Sequence, residues 1–368
     1  MRIKELDGLR GIAVLAVISE HYLAWLPAVG SHYGWLGVDL FFVLTGFLIT
    51  GILLELRNRE HYFRVFYARR ALRIFPPYFL GILVYLIVSL AAGEPGSWGL
   101  WLRYIFYYSS LLPTQPPEFT AVPPPILTGV LVGLSVLWSL SVEEIYYTIW
   151  APIVRFTTHR SFALILAAMI VAAPILRWWM HAPNAPELYI FYCRMDGLAY
   201  GSVIALLVSE RRNNPARWFA IDRGLDLAAL VVLPAALIFW IVTLGDRANV
   251  WVTTVGLVLA DLAFALVVHA LIRRANGPQL WVRIFRARWL RSIGMVSYSL
   301  YLFHYPLRDI GLEIVYAFHL SRHVTLVVGM ALGLGLSFGV AYALWYGMES
   351  RILRWKDRRV PSPAHPST

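Results

Sequence analysis

The chain has almost no cysteine and few charged side chains. Cys193 is the one cysteine among 368 residues, which excludes an intrachain disulfide and any zinc site built from cysteines. Asp, Glu, Lys and Arg make up 14% of the chain, against 59% for hydrophobic residues, so a soluble protein is excluded. A positively charged leader followed by a small-residue cleavage site is also absent, and we expect the first apolar segment to stay attached as an anchor.

Apolar runs of membrane length dominate the sequence, and the mean hydropathy is +0.63. A helix needs about 20 residues to cross a bilayer, so the runs predict an all-α, polytopic membrane protein with about ten spans. The predicted spans are 9–26, 34–56, 75–92, 130–153, 162–180, 188–208, 225–244, 250–272, 290–312 and 324–348. The shorter apolar stretch 98–112 predicts an interfacial or re-entrant segment. We expect one membrane domain over 1–359 and a disordered tail at 360–368.

Basic residues lie between the apolar runs, and the net charge is +11. This distribution is typical of membrane loops and not of a nucleic-acid-binding surface, so no nucleic-acid partner is expected. With an even number of spans, 26 of the 32 Lys and Arg residues fall on one side. The positive-inside rule makes that side cytoplasmic and predicts that both termini are cytoplasmic.

His21 is the most unusual residue of the first span. An imidazole within a membrane-length apolar segment is costly and usually functional. Eleven helical residues counted from Arg10 place His21 roughly 16 Å into a hydrocarbon core about 30 Å thick. Asp39 adds a buried carboxyl in the second span. Glu20, beside His21, either shares its polar face or points to another helix.

The loop after the second span is rich in arginine. Arg70 and Arg73 are three residues apart, so on a helix both guanidinium groups face one way and can bind phosphate oxygens in a bidentate manner. Arg69 widens this cationic surface. The alternative is a membrane anchor whose arginines contact anionic lipid headgroups, and spacing alone leaves both interpretations open.

Two pairs of charged residues lie within or beside later spans. Glu143 and Glu144 are adjacent at the outer end of the fourth span, where neighbouring helix positions point about 100° apart. One carboxylate can therefore face a polar cavity while the other faces a loop, or both serve only to orient the helix. In the sixth span, Arg194 and Asp196 need partners, and we favour structural ion pairing, mutual or interhelical, over catalysis.

The ninth span carries a polar face made of Ser297, Tyr301, His304 and Arg308, at spacings of four, three and four residues. Such a face lines a cavity or a contact between helices. A structural hydrogen-bonding role for His304 explains the pattern at least as well as a catalytic role does.

Five motifs, taken in order, resemble those of the membrane acyltransferase 3 family. They are Leu6-Asp-Gly-Leu-Arg10-Gly with His21, Gly37-Val-Asp39-Leu-Phe-Phe-Val-Leu-Thr-Gly46, Arg69-Arg70-x-x-Arg73-Ile-x-Pro76, Trp138-Ser-Leu-Ser-Val-Glu143 and Ser297-Tyr-x-x-Tyr301-Leu-x-His304-x-Pro306. Each motif is weak alone, but five in order across nearly the whole chain are a strong signal. Thr45 stands where the family usually has Ser, which bears on the subfamily and the acceptor more than on the reaction.

The resemblance implies transfer of an acyl group, commonly acetyl, from cytoplasmic acyl-coenzyme A to a hydroxyl acceptor, often a bacterial surface glycan. By motif match, His21 takes the position of the family's essential histidine. The resemblance implies that His21, Glu143 and Asp39 are catalytic and that Arg10, Arg70 and Arg73 bind the donor. The residue patterns add Arg69 to the donor side and predict Glu20, Ser297, Tyr301, His304, Arg194 and Asp196 as possible cavity-lining residues. No metal is expected. The implied location is the bacterial cytoplasmic (inner) membrane, where lipid is a further partner.

The chemistry leaves alternatives open. A neutral imidazole could deprotonate the acceptor hydroxyl, or it could accept the acyl group and pass it on. The acceptor is a glycan, a lipid-linked sugar or a small membrane-partitioned molecule such as a macrolide. A proton-coupled transporter is the rival class, since intramembrane His and acidic residues also mark proton pathways. The sequence shows no internal repeat and no pair of matching broken helices, which many transporters have.

Overall fold

The computed structural model describes residues 3–23, 33–91, 97–111, 134–182, 185–213 and 215–360. Throughout these ranges the secondary structure is helical, without a strand, which confirms the predicted all-α class. Parts of the first, third and fourth predicted spans and, beyond Val360, the predicted C-terminal tail lie outside the described residues.

Each predicted span overlaps one long helix, with two corrections. The helix of the third span begins at Tyr62, so the arginine-rich stretch predicted as a loop is helical, and the helix of the sixth span begins at Met195 and not at 188. The helices are α1 (Lys4–Leu23), α2 (Leu36–Leu56), α3 (Tyr62–Ala91), α4 (Trp98–Ile105), α5 (Trp138–Phe156), α6 (His159–Met180), α7 (Met195–Asn213), α8 (Pro215–Thr243), α9 (Leu257–Arg273), α10 (Leu280–Phe285), α11 (Arg288–Tyr316), α12 (Arg322–Leu344) and α13 (Ser350–Arg359). A π-helical segment, Val252–Gly256, leads into α9, and a second, Trp345–Glu349, joins α12 to α13.

Six of the described helical segments are long and apolar enough to cross a membrane. They are Leu36–Leu56, Tyr62–Ile87, His159–Met180, Trp218–Thr243, Val252–Arg273 and Arg322–Arg359. The eight residues of α4 rise only about 12 Å, too little to cross, which agrees with an interfacial or re-entrant segment there. The number of about ten crossings and the side on which the termini lie stay predictions.

The chain forms two compact units. The first unit contains Met1–Glu20, Ser31–Tyr62 and Val142–Met295, and the second contains His21–Gly30, Phe63–Ser141 and Val296–Thr368. One boundary between the two units therefore falls within α1, between Glu20 and His21.

Helices α2 and α7 of the first unit pack backbone against backbone. A Cβ atom at Gly46 would lie 2.0 Å from the Leu198 carbonyl oxygen, and one at Gly201 would lie 2.0 Å from the Val43 carbonyl oxygen. No side chain fits at such distances. Small residues at these two positions permit the close helix contact, which in an apolar solvent depends on van der Waals packing.

In the second unit, α11 and α12 meet in the same way. A Cβ atom at Gly311 would lie 2.4 Å from the Gly333 backbone nitrogen, and one at Gly333 would lie 2.7 Å from the Arg308 Cα atom. This contact fixes the part of α11 that follows His304.

We expect Gly201→Ala to destabilise the first unit, because the added methyl group must displace the Val43 backbone. Overpacking of this kind costs about 1–3 kcal/mol. Gly51→Ala is the matched control on α2, since nothing lies within 4 Å of its Cβ position. Thermal unfolding of the detergent-purified protein should show a lower midpoint for Gly201→Ala alone. Equal midpoints for the two variants would contradict the close contact.

Candidate functional site

His21 lies in the last turn of α1 and contacts a second histidine, His304 on α11. The two rings meet through His21 Nδ1 and His304 Nε2, which are 2.8 Å apart. Their centroids are 4.9 Å apart with an interplanar angle of 34°. Tyr305 packs edge-on against His21, with centroids 5.0 Å apart. His21 is half-buried and His304 is fully buried, so the contact lies at the edge of the packed interior.

The backbone of α11 explains how His304 is held. His304 Nδ1 lies 2.7 Å from the Tyr301 carbonyl oxygen, one turn earlier in the same helix. Pro306 has no N–H to donate to the Leu302 carbonyl four residues before it, and Tyr85 donates its hydroxyl to that oxygen instead, at 3.3 Å. The proline thus leaves one helix carbonyl without its usual donor, and a tyrosine from α3 satisfies that carbonyl group.

These contacts determine the tautomers of both histidines. A carbonyl oxygen can only accept, so His304 Nδ1 carries a hydrogen and donates it to Tyr301. In a neutral His304 ring, Nε2 then has a lone pair and accepts a hydrogen from His21 Nδ1. In a neutral His21 ring, Nε2 consequently carries the lone pair. The network therefore makes His21 Nε2 the basic and nucleophilic atom.

Arg308 adds positive charge beside this pair. It donates from Nη1 to the His21 carbonyl oxygen at 3.1 Å and from Nε to Asp309 at 2.6 Å. Its guanidinium lies 3.9 Å from the centroid of the Tyr305 ring. A cation at the end of α1 satisfies an orphan carbonyl and interacts favourably with the helix dipole. The polar face predicted from spacing on α11 is thus oriented toward His21 at two of its positions.

The two other residues of this predicted face, Tyr301 and Ser297, are both buried. The Tyr301 hydroxyl lies 2.7 Å from Ser139 Oγ and donates to the Val136 carbonyl oxygen at 2.9 Å. Ser297 is 1% exposed, and its hydroxyl oxygen has no hydrogen-bond partner among the described residues. Tyr301 therefore anchors α11 with its side chain and orients His304 with its carbonyl.

Glu143 belongs to the first unit and is held by two hydroxyl groups. Thr45 donates to its Oε1 at 2.9 Å, and Tyr147 donates to its Oε2 at 2.6 Å. The hydroxyl of Thr45 explains why threonine can replace the serine usual in the family's motif. Sequence reasoning placed Glu143 on a helix but did not identify either partner.

Four buried charged side chains of the first unit form two ion pairs. Arg194 donates to Asp39 at 2.5 Å, and Arg177 binds Asp196 through both terminal nitrogens, at 2.9 and 2.6 Å. All four side chains are at most 2% exposed. Of the two pairings left open for Arg194 and Asp196, the interhelical one is observed. Arg177 was not predicted as a site residue, although a lone arginine within the apolar run 162–180 indicates a buried charge that needs a partner.

Glu20 and the donor-side arginines also have partners. Glu20 forms an ion pair with Arg247, whose guanidinium lies 5.0 Å from the centre of the Trp35 ring, so Glu20 points toward the loop between α8 and α9 and not toward another helix. Arg69 donates to Asp357 at 2.7 Å and to the Val360 carbonyl oxygen at 2.9 Å. Arg10 and Arg70 are half-buried and Arg73 is exposed. Among the described residues, no His, Cys, Asp and Glu group is arranged to hold a metal ion.

Comparison with known proteins gives a match to one family model, described as an acyltransferase domain, over residues 3–346. Peptidoglycan O-acetyltransferase OatA of Listeria monocytogenes is 26% identical over 332 residues, 83% of this chain and 49% of the relative. The putative peptidoglycan O-acetyltransferase YrhL of Bacillus subtilis is 24% identical over 331 residues, 82% of this chain and 48% of the relative. O-acetyltransferase OatA of Staphylococcus aureus is 25% identical over 335 residues, 82% and 50% respectively. The chain spans about half the length of these relatives, and no solved structure matches it.

We expect Asp39→Asn to lower stability, because it removes the carboxylate that binds the buried Arg194 guanidinium. Removing one member of a buried pair costs about 3–5 kcal/mol. The double variant Asp39→Asn with Arg194→Gln should recover part of this loss, as measured by thermal unfolding in detergent.

Glu210→Gln is the matched control, since Glu210 pairs with His159 at an exposed position. It should leave the unfolding midpoint unchanged. A wild-type midpoint for Asp39→Asn, combined with lost activity, would instead give Asp39 the catalytic role that its motif implies.

Proposed function

Because the match extends over nearly the whole sequence, the chain belongs to the acyltransferase 3 family, and we propose that it moves an acetyl group from cytoplasmic acyl-coenzyme A to a hydroxyl of an extracytoplasmic glycan. The relatives in Listeria monocytogenes and Bacillus subtilis support a glycan acceptor, since both are named as peptidoglycan O-acetyltransferases, the second as a putative one. We propose the bacterial cytoplasmic membrane as the location.

The observation that carries this proposal is the hydrogen-bonded chain from the Tyr301 carbonyl through His304 to His21. It holds one imidazole in a single tautomer with Nε2 as the base. Acyl transfer to a hydroxyl needs such a group, because an alcohol attacks a thioester slowly unless its proton is removed during attack.

In the proposed reaction, His21 Nε2 takes the proton of the acceptor hydroxyl while its oxygen bonds to the thioester carbonyl carbon. The carbon–sulfur bond then breaks, and the proton passes from Nε2 to the departing thiolate, so coenzyme A leaves as the thiol. An acyl-histidine relay would use the same Nε2 atom, with a bond to the acyl carbon in place of the proton. In both routes His304 orients the ring and accepts from Nδ1.

Helix α3 supports the proposed approach of the donor. Arg70 and Arg73 lie in its first half, and Tyr85 lies twelve residues beyond Arg73, where it bonds to the Leu302 carbonyl, two residues from His304. At 1.5 Å per residue, Arg73 and Tyr85 are roughly 18 Å apart along the helix. We propose that the coenzyme phosphates bind at the arginine end and that the long pantetheine arm runs toward His21. Glu143, Asp39 and Arg10 stay predictions as catalytic or donor-binding residues.

We expect His21→Ala to lower acetyl transfer by about 10²–10⁴-fold, the usual contribution of a general base. Release of coenzyme A thiol by the purified protein, with acetyl-coenzyme A and a glycan acceptor, measures the effect. His323→Ala is the control, since that histidine is exposed on α12. Turnover of His21→Ala at the wild-type rate would remove His21 from the mechanism.

We expect His304→Ala to lower kcat by about 10²-fold with little change in the KM for the donor, because His21 would lose the acceptor that selects its tautomer. His304→Gln should retain more activity than His304→Ala, since a side-chain amide oxygen can accept from His21 Nδ1. The same thiol-release assay, run at several donor concentrations, separates kcat from KM. Two variants with equal activity would show that His304 has only a packing role.

A further inference from the structure

Helices α7, α8 and α9 of the first unit enclose a small recess that carries another buried histidine. Arg211 of α7, Trp218 and Asp222 of α8, and His269 and Arg273 of α9 line it. None of these residues belongs to the motifs that resemble the acyltransferase family, and the proposed reaction uses none of them. The recess therefore needs an explanation of its own.

Asp222 fixes the tautomer of His269. His269 Nε2 lies 3.0 Å from Asp222 Oδ1, and both side chains are at most 8% exposed. An ionised carboxylate can only accept, so Nε2 carries a hydrogen, and Nδ1 of the neutral ring carries a lone pair. This Nδ1 has no hydrogen-bond partner in the part of the chain that the structure describes, although buried polar groups normally have one. A ligand group with a hydrogen to donate would supply that partner.

Arginines border the recess. Arg211 Nη2 lies 3.4 Å from Asp222 Oδ2, and the Arg211 side chain is 44% exposed. Arg273 forms an ion pair with Asp226, to which Arg274 also donates at 3.1 Å. In these ion pairs three arginines share two aspartates. The rim of the recess is therefore positively charged and suits an anionic group.

Two membrane-length apolar segments meet at the recess. The segment Trp218–Thr243 begins at its wall, and the segment Val252–Arg273 ends there. Beyond the recess, α8 exposes the large apolar side chains Leu227, Leu230 and Val231. In a membrane such a face contacts acyl chains, and the ends of the apolar segments lie at the level of the headgroups. A ligand that enters this recess from the membrane is therefore a lipid headgroup.

We propose that the recess binds an anionic phospholipid whose headgroup ends in a hydroxyl, as that of phosphatidylglycerol does. The hydroxyl donates to His269 Nδ1, the phosphate lies against Arg211 and Arg273, and the acyl chains follow the exposed face of α8. Only a lipid of this class satisfies the buried acceptor, the charged rim and the apolar face together. The proposal depends on no residue assigned to acyl transfer, so its failure would leave the proposed function untouched.

The test compares phosphatidylglycerol with phosphatidylethanol, which has the same charge but no headgroup hydroxyl. Binding of each lipid to the detergent-purified full chain is measured by native mass spectrometry. We expect the wild type to bind phosphatidylglycerol about tenfold more tightly, as one additional hydrogen bond at a buried acceptor would give. Arg211→Gln should weaken the binding of both lipids, because it removes a charge that acts on the phosphate. Equal affinity of the wild type for the two lipids would overturn the proposal.

Variants of His269 test the assigned acceptor. His269→Leu should bind phosphatidylethanol as the wild type does and should lose the preference for phosphatidylglycerol. His269→Gln should keep part of the preference, since its amide can donate to Asp222 and accept from the lipid hydroxyl. This second variant retains a polar side chain at the buried position and so guards against misfolding of His269→Leu. His323→Leu, on the exposed part of α12, is the control. An unchanged preference in His269→Leu would contradict the role of Nδ1.

Discussion

A polar group removed from water must find its partner within the chain, and this constraint decides most of the contacts described above. Arg194 and Arg177 illustrate it in the first unit, where each guanidinium meets one aspartate across a helix boundary. In an apolar surrounding, an uncompensated charge costs far more than a misplaced methyl group. The two pairs therefore restrict how α2, α6 and α7 pack, and the glycine contacts between α2 and α7 are compatible with that arrangement.

The same constraint shapes the site proposed for catalysis in the second unit. Pro306 leaves the Leu302 carbonyl without a helix donor and Tyr85 satisfies it, while the His304 side chain turns back to the Tyr301 carbonyl. His304 then serves His21 as a neutral acceptor. In a serine-protease triad a carboxylate has this position and stabilises the imidazolium that forms. A neutral imidazole such as His304 avoids burying an anion, but it stabilises the protonated His21 ring less than a carboxylate would. In the proposed reaction, His21 therefore holds the proton only briefly.

Much of the fold followed from hydropathy and spacing, whereas the partners across helices did not. Membrane-length apolar runs predicted the long helices, and the four-three-four spacing predicted that His304 and Arg308 share a face. One sequence shows which residues share a face but not which helix lies opposite. For this reason Thr45 and Tyr147 could not be assigned to Glu143, nor Arg247 to Glu20. The burial of Lys356 on α13 could not be predicted for a further reason: the π-helical segment Trp345–Glu349 shifts the helical register, so the periodicity of α12 cannot be extended into α13.

The buried polar groups of the chain divide by the kind of partner they have, and this division separates packing from the proposed chemistry. Arg177 and Arg194 each have a carboxylate of their own within 2.6 Å, and such pairs need nothing more from outside the protein. His304 is equally buried, but its partner is an imidazole, His21, at 2.8 Å. Burial is similar in the two cases, so burial alone does not indicate function. The kind of partner does, because a neutral acceptor leaves His21 Nε2 as a base, whereas a carboxylate beside an arginine completes a charge pair.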